Sequence, residues 1–355
     1  MRSMKRVLYS LMALLWLSGI TLTAQDKQTT YTVMFYNAEN LFDVYNDPNV
    51  LDDEFTPEGP KVWTETKYWK KIENTAEVIH AIAQANRQFP AIIGLSEIEN
   101  RLVLDDLVSE QRLAGANYQI VHYDSPEARG VDVALLYRPD QFDYLWSEPI
   151  RPNIPGRPDF KTRDILAVAG KIEGELFCFF VNHWSSRRGG AQSSEYLRCG
   201  NAQTLRDYAD SLRTVYPDIK LVAMGDMNDN PTDKSLLEVL GAVGDLDKLV
   251  DGGMFNPFYQ LFEDGYGTTA YQDAWSLFDN LVVSDNLIKE SARGIRLLPS
   301  KQRKGRYFAT IFKRPFLIQQ KGQYKNYPWR TYSGNAFLGG YSDHFPVFIT
   351  LGIEH

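Results

Sequence analysis

The stretch Gly339-Gly340-Tyr341-Ser342-Asp343-His344-Phe345-Pro346-Val347 puts a carboxylate and an imidazole side by side, just ahead of an apolar run, Phe345 to Leu351. Neighbouring side chains on a strand point to opposite faces. Asp343 and His344 therefore serve one pocket only at a bend or a strand entrance. Alone the Ser342-Asp343-His344 triplet is a weak signal, because Asp-His pairs are common on surfaces. It gains weight from further polar clusters upstream, each at the end of an apolar run.

Tyr31 to Tyr36 alternates as a strand and leads into Asn37-Ala38-Glu39-Asn40-Leu41-Phe42-Asp43. Ala91 to Leu95 leads into Ser96-Glu97-Ile98-Glu99-Asn100, and Leu221 to Met224 into Gly225-Asp226-Met227-Asn228-Asp229-Asn230. Phe177 to Val181 runs into Asn182-His183-Trp184, and the stretch Ser276 to Val283 embeds Asp279 in an apolar strand. A strand followed by a polar cluster is how α/β folds gather chemistry at one sheet edge, on loops held by a rigid scaffold.

Taken in order, these blocks resemble the endonuclease/exonuclease/phosphatase superfamily, the DNase I-like group, and most of all its extracytoplasmic bacterial branch. The resemblance spans Asn37 to Pro346. It implies a four-layer α/β sandwich: two face-to-face mixed, largely antiparallel sheets with outer helices. Asn37 and Glu97 match the family's metal-binding blocks, and Asp343 is implied as a third metal ligand. His183, Asp226, Asn228, Asp279 and His344 match its catalytic positions.

Length and composition fit one domain. The chain has 355 residues, 44% apolar and 13% aromatic, enough for a sizeable core. Residues 1–24 read as a signal peptide: Arg2, Lys5 and Arg6, then an apolar core from Val7 to Ile20, then a small-residue cleavage site at Ala24. Residues 25–355 are left as a single catalytic domain. The expected location is outside the cytoplasm: periplasmic, outer-surface or secreted, in a Gram-negative-type bacterium. Removing the leader, with three basic residues and no acid, takes the formal charge from −7 to −10. That speaks against an extended nucleic-acid interface, which depends on neutralising phosphates, but leaves a nuclease with local arginines open. Cys178 and Cys199 are too few for a disulfide framework and read equally well as a pair or as two thiols. A monomer without stable membrane insertion is expected.

Phosphoester hydrolysis requires neutralised phosphoryl oxygens, an oriented water and help for the leaving oxygen. The oxygens of Asn37, Glu97 and Asp343 suit Mg²⁺, or Mn²⁺, better than zinc. Asn37 capping a turn and Glu97 pairing with a lysine are the plainer alternatives. By resemblance, Asp226 orients or deprotonates the attacking water and Asn228 holds a phosphate oxygen; the same Gly-Asp-x-Asn composition also makes an ordinary turn. Asp279 and His344 read as a dyad, with His344 either base or phosphate stabiliser. His183 reads as a phosphate contact and general acid. Arg129, Asp132, Arg163, Arg187 and Arg188 are substrate-binding candidates, each with a solvated or structural alternative. His80 and His122 are read as structural. The expected activity is a Mg²⁺-dependent, nuclease-like phosphodiesterase on DNA or RNA. The alternatives are a phosphatase or phospholipase C-like enzyme on inositol phosphates or lipid head groups, and an inactive binding module.

Overall fold

The rows of side chains that form the core decide where the polar clusters fall. The computed structural model describes residues 29–289, 293–301 and 305–353; the expected signal peptide lies outside them. The first eight strands are β1 (Thr30–Leu41), β2 (Ile92–Ile98), β3 (Gln119–His122), β4 (Asp132–Tyr137), β5 (Asp143–Ile150), β6 (Ile165–Ile172), β7 (Glu175–His183) and β8 (Lys220–Asp226). One sheet runs Ile295–Leu298, Val347–Ile353, β1, β2, β4, β3, with Ala309–Ile311 also paired to Val347–Ile353. The other runs β5, β6, β7, β8, Asp279–Ser284, Met254–Phe255, Ala242–Val243. Among the described residues, only β1–β2, β7–β8 and the last short pair are parallel. The expected α/β sandwich of two mixed, largely antiparallel sheets is what the chain forms.

Helices α1 (Glu65–Asn86) and α2 (Arg101–Ser109) cover the first sheet, and α3 (Glu195–Val215) covers the second. The sheets touch closely at Gly94, where a Cβ would lie 2.5 Å from the Met224 sulfur and 3.2 Å from the Phe35 ring. Overpacking a tight core costs about 1–3 kcal/mol. Gly94→Val is therefore expected to lower thermal stability by that amount in a melting experiment. An unchanged melting temperature would mean that the sheets are not in contact there.

Several boundaries differ from the sequence reading. The first strand continues past Tyr36 to Leu41, because the parallel register with β2 holds through Asn37 and resumes at Leu41 after an irregularity. Helix α1 starts at Glu65 and ends on Arg87 in a left-handed conformation. Asp279 opens its strand rather than lying within it, since Ala274–Ser276 forms a separate hairpin with Thr269–Tyr271. The closing strand begins at Val347, just beyond Pro346, whose nitrogen cannot donate to a ladder.

Candidate functional site

Period-two alternation carries the core-facing row of each central strand into a polar residue at one end of the sandwich. Val33 and Phe35 lead to Asn37, Phe179 and Val181 to His183, Val222 and Met224 to Asp226, and Val283 and Leu281 to Asp279; the apolar members all share one core. His183 pairs in register with Asp226, and Asp226 with Asp279. Three neighbouring strands thus set three functional groups in one line across the second sheet.

Facing them, Asn37 donates from Nδ2 to Glu97 Oε1 at 3.2 Å and to Asp226 Oδ2 at 3.1 Å. Asn40 N donates to Glu97 Oε2 at 2.9 Å. Glu39, Asn40, Glu97 and Asn228 adopt positive φ, between 49° and 60°. Such strain costs non-glycine residues free energy and collects at functional sites. His183 Nε2 lies 3.9 Å from Glu97 Oε1 and 3.8 Å from Asp226 Oδ2, and its buried Nδ1 has no hydrogen-bond partner among the described residues. His344 Nδ1 is 2.7 Å from Asp279 Oδ2, and its Nε2 is 3.9 Å from Asp226 Oδ2. The Ser342 hydroxyl donates to the Asn37 carbonyl at 2.8 Å and accepts from His344 N at 3.1 Å, which joins the closing triplet to β1.

These contacts divide the titrating groups. Burial is the main force that pushes the Asp226 carboxyl up, to about 6; Asp279 and Glu97 add to the rise, against His344 and the backbone amide of Asn228. Burial alone would lower His344, but Asp279, then Asp226 and Asp343, outweigh it and hold the imidazole well above its usual range. His183 is driven well below by burial first and then by the charges of Arg163, Arg129 and His344. At neutral pH the site therefore holds an ionised Asp226, an imidazolium at 344 and a neutral imidazole at 183.

The cation question turns on donor chemistry. Asn37 turns its amide nitrogen to the Glu97 and Asp226 carboxylates while its Oδ1 accepts from Glu39 N at 2.8 Å, and Asp226, Asp279 and His344 each offer a ligand atom within 4.8 Å of the others. Carboxylate and amide oxygens fit a hard divalent cation. Asp343, expected among the ligands, accepts from Arg330 at 3.2 Å, with its other oxygen 4.0 Å from His344 Nε2.

The softer candidates scatter. Arg163, expected on phosphate, is buried behind β7, where it donates to the carbonyls of His183 at 3.1 Å and Trp184 at 2.6 Å. Arg187, expected to grip substrate, is spent on Asp229, Asp233 and the Asn228 carbonyl, bonds that tether the Asp226–Asn228 turn. The buried Arg198 reaches the same Asp229 at 2.6 Å. Asp132 is buried, accepting from Ser125 N at 2.9 Å and lying 3.4 Å from His122 Nε2. Arg129 and Arg188 are exposed, and Arg129 pairs with Glu127 at 3.1 Å. One amide proton of Asn228 goes to the Trp184 carbonyl at 3.0 Å. Cys178 and Cys199 are free thiols. The aromatic run from Tyr307 to Tyr341 mostly packs: Trp329 and Phe316 stand edge-on to Tyr341, and Tyr332 meets Trp63 and Phe337.

Sequence reading passed over Lys71 and Glu39. Lys71 is buried on α1 and donates to Thr331 Oγ1 and the Tyr341 carbonyl, each at 2.6 Å. It also stands 4.0 Å from Glu39 Oε2. The available signal was a lysine on the apolar stripe formed by Tyr68, Ile72 and Ile79.

A family model described as endonuclease/exonuclease/phosphatase family matches residues 32–352. No curated protein matches the chain in sequence. Among solved structures, humanized D. rerio TDP2 carrying 14 mutations is 15% identical; the match covers 91% of this chain and 99% of that one, with a TM-score of 0.53. D. rerio TDP2 complexed with a single-strand DNA product is 13% identical, with 92% and 100% covered and a TM-score of 0.51. The mannosyl-6-phosphatase Bt3783 of Bacteroides thetaiotaomicron VPI-5482 is 17% identical, with 90% and 99% covered and a TM-score of 0.50. At these identities the likeness speaks for the fold.

Proposed function

This chain belongs to the endonuclease/exonuclease/phosphatase family, and we propose that it is a divalent-cation-dependent phosphoester hydrolase, exported from the cytoplasm, acting on small phosphate esters. The observation that carries the reading is the line of His183, Asp226 and Asp279 across three strands, closed by the His344–Asp279 contact. Asp226 directs and deprotonates the attacking water. The His344 imidazolium, held by Asp279, faces the charge that develops on the phosphoryl oxygens. The neutral His183 lies between Glu97 and Asp226, placed to donate a hydrogen bond to a phosphate oxygen, and the leaving oxygen takes its proton from water. Asn37, Glu97 and Asp343 would hold Mg²⁺ or Mn²⁺, which when bound supplies neutralising positive charge.

A small ester fits better than a polymer, because three of the four arginines expected to grip a phosphate backbone are buried or paired, leaving Arg188 exposed, and the mature chain is acidic. Nucleic acid remains the second reading, favoured by the TDP2 structure that carries a DNA product. Mature protein is to be assayed with Mg²⁺ on phenyl phosphate, a phosphodiester and single-stranded DNA. Phosphate release abolished by chelator supports the small-ester reading. Cleavage of DNA alone moves the protein to the nuclease reading, and no turnover of any ester overturns hydrolysis. Because Asp226 must be ionised, kcat/KM is expected to fall about tenfold per pH unit below about pH 6. A profile flat down to pH 4 would remove Asp226 as base.

A further inference from the structure

The edge of the first sheet gathers an imidazole and two carboxylates that the proposed hydrolysis does not use. β3 closes that sheet and pairs antiparallel with β4, so that His122 stands opposite Ala134. Asp132, two residues before Ala134, is therefore the diagonal neighbour of His122 on the same face, a spacing of roughly 7–8 Å that ring and long side chains span. Asp124 lies two residues beyond His122. The three side chains each offer a ligand atom, and these atoms lie within 4.8 Å of one another.

The contact between His122 and Asp132 is not an ordinary hydrogen bond. Nε2 is 3.4 Å from Asp132 Oδ2, past the roughly 2.7–3.2 Å of N–H donors to oxygen. It is buried and has no hydrogen-bond partner among the described residues. Ligands that each stand about 2.0–2.2 Å from a tetrahedral ion are about 3.4 Å from one another, which is the separation found here. Asp132 Oδ1 accepts from Ser125 N at 2.9 Å and from the Ser125 hydroxyl, which fixes the carboxylate with Oδ2 towards the imidazole. Metal ligands are oriented in this way by donors behind them.

The side chains of His122 and Asp132 are only 4% and 3% exposed, so packing sets both positions. That of Asp124 is 88% exposed, with Oδ1 3.9 Å from His122 Nδ1, and its rotation brings a third oxygen to the ion. Among the described residues neither carboxylate pairs with a lysine or arginine. A buried carboxylate without such a partner is costly unless it coordinates a metal.

We propose that His122, Asp124 and Asp132 bind a first-row transition-metal dication of the Zn²⁺ type, at a site separate from the catalytic centre. The imidazole nitrogen favours such an ion over Mg²⁺ and Ca²⁺, which take oxygen ligands. Water fills the fourth position. The ion clips the start of the β3–β4 loop, residues 123–131, to its end.

Chelator-stripped wild type, His122→Phe, Asp124→Ala and Glu97→Gln are to be titrated with Zn²⁺ by calorimetry, with excess Mg²⁺ present to fill the catalytic site. Thermal melting is the folding control, and the visible absorption of bound Co²⁺ reports a tetrahedral site. One Zn²⁺ equivalent is expected in wild type and in Glu97→Gln, weakened tenfold or more by His122→Phe and by Asp124→Ala. The tetrahedral Co²⁺ bands should disappear in the same two variants. Asp124 is exposed, so Asp124→Ala decides the matter even if His122→Phe fails to fold. Affinity unchanged by Asp124→Ala overturns the three-ligand site. So does a Zn²⁺ equivalent lost only in Glu97→Gln, which would place the ion at the catalytic centre, and so does a wild type that binds no Zn²⁺.

Discussion

Asp226→Asn is expected to lower kcat/KM by about 10²–10⁴-fold, the range general-base catalysis supplies, without unfolding the protein. The carboxylate sits in line with His183 and Asp279 and accepts from Asn228 N at 2.9 Å and from Asn37 Nδ2 at 3.1 Å. An amide keeps the shape and one acceptor but cannot take a proton from water. Stability should move the other way. Burial raises the folded-state pKa from 3.8 to about 6. The group's favourable contribution is therefore full below about pH 4 and is lost as pH rises through about 6. The loss is on the order of 3 kcal/mol, at about 1.4 kcal/mol per unit. The asparagine variant should melt at or above wild type at pH 7 and lose that advantage near pH 4. Melting curves and initial rates at both pH values decide it. A variant that is both fully active and less stable at pH 7 would contradict the assignment.

Asp279→Asn should lower kcat/KM by about 10²–10³-fold, the scale of a lost electrostatic contact to the transition state. Among the charges near His344, Asp279 does most to hold the imidazole protonated, and it meets Nδ1 at 2.7 Å. Without it, burial pulls the ring down, countered only by Asp226 and Asp343, and more of it is neutral at pH 7. The loss should therefore shrink as pH is lowered, until protonation of Asp226 takes over near 6. Histidine ring NMR against pH reads the shift directly. If the His344 ring titrates as in wild type, Asp279 does not set its charge.

Much of the site was legible because it obeys a local rule. On β1, β7 and β8 the alternation that buries Phe35, Val181 and Met224 also aims Asn37, His183 and Asp226 two residues on. Strand and polar cluster are adjacent in the chain, so sequence could show them together. The arginines failed for the opposite reason. Arg163 and Arg187 stand near functional positions in sequence, but the carbonyls of His183, Trp184 and Asn228 and the acids Asp229 and Asp233 claim their guanidiniums. A long cation beside a site looks the same whether it meets a substrate or a carbonyl.

The chain alone determined that apolar strands end in acids, amides and imidazoles in a set order, because strand periodicity and composition are local properties. Only the tertiary structure decided which groups meet. The Asp226–Asp279 register, the 305-residue span from the Asn37 carbonyl to the Ser342 hydroxyl, and the pairing of Lys71 with the loops at Thr331 and Tyr341 all join distant segments. Those contacts follow from how two sheets and a helix pack as rigid layers, and no local pattern encodes the distances between layers.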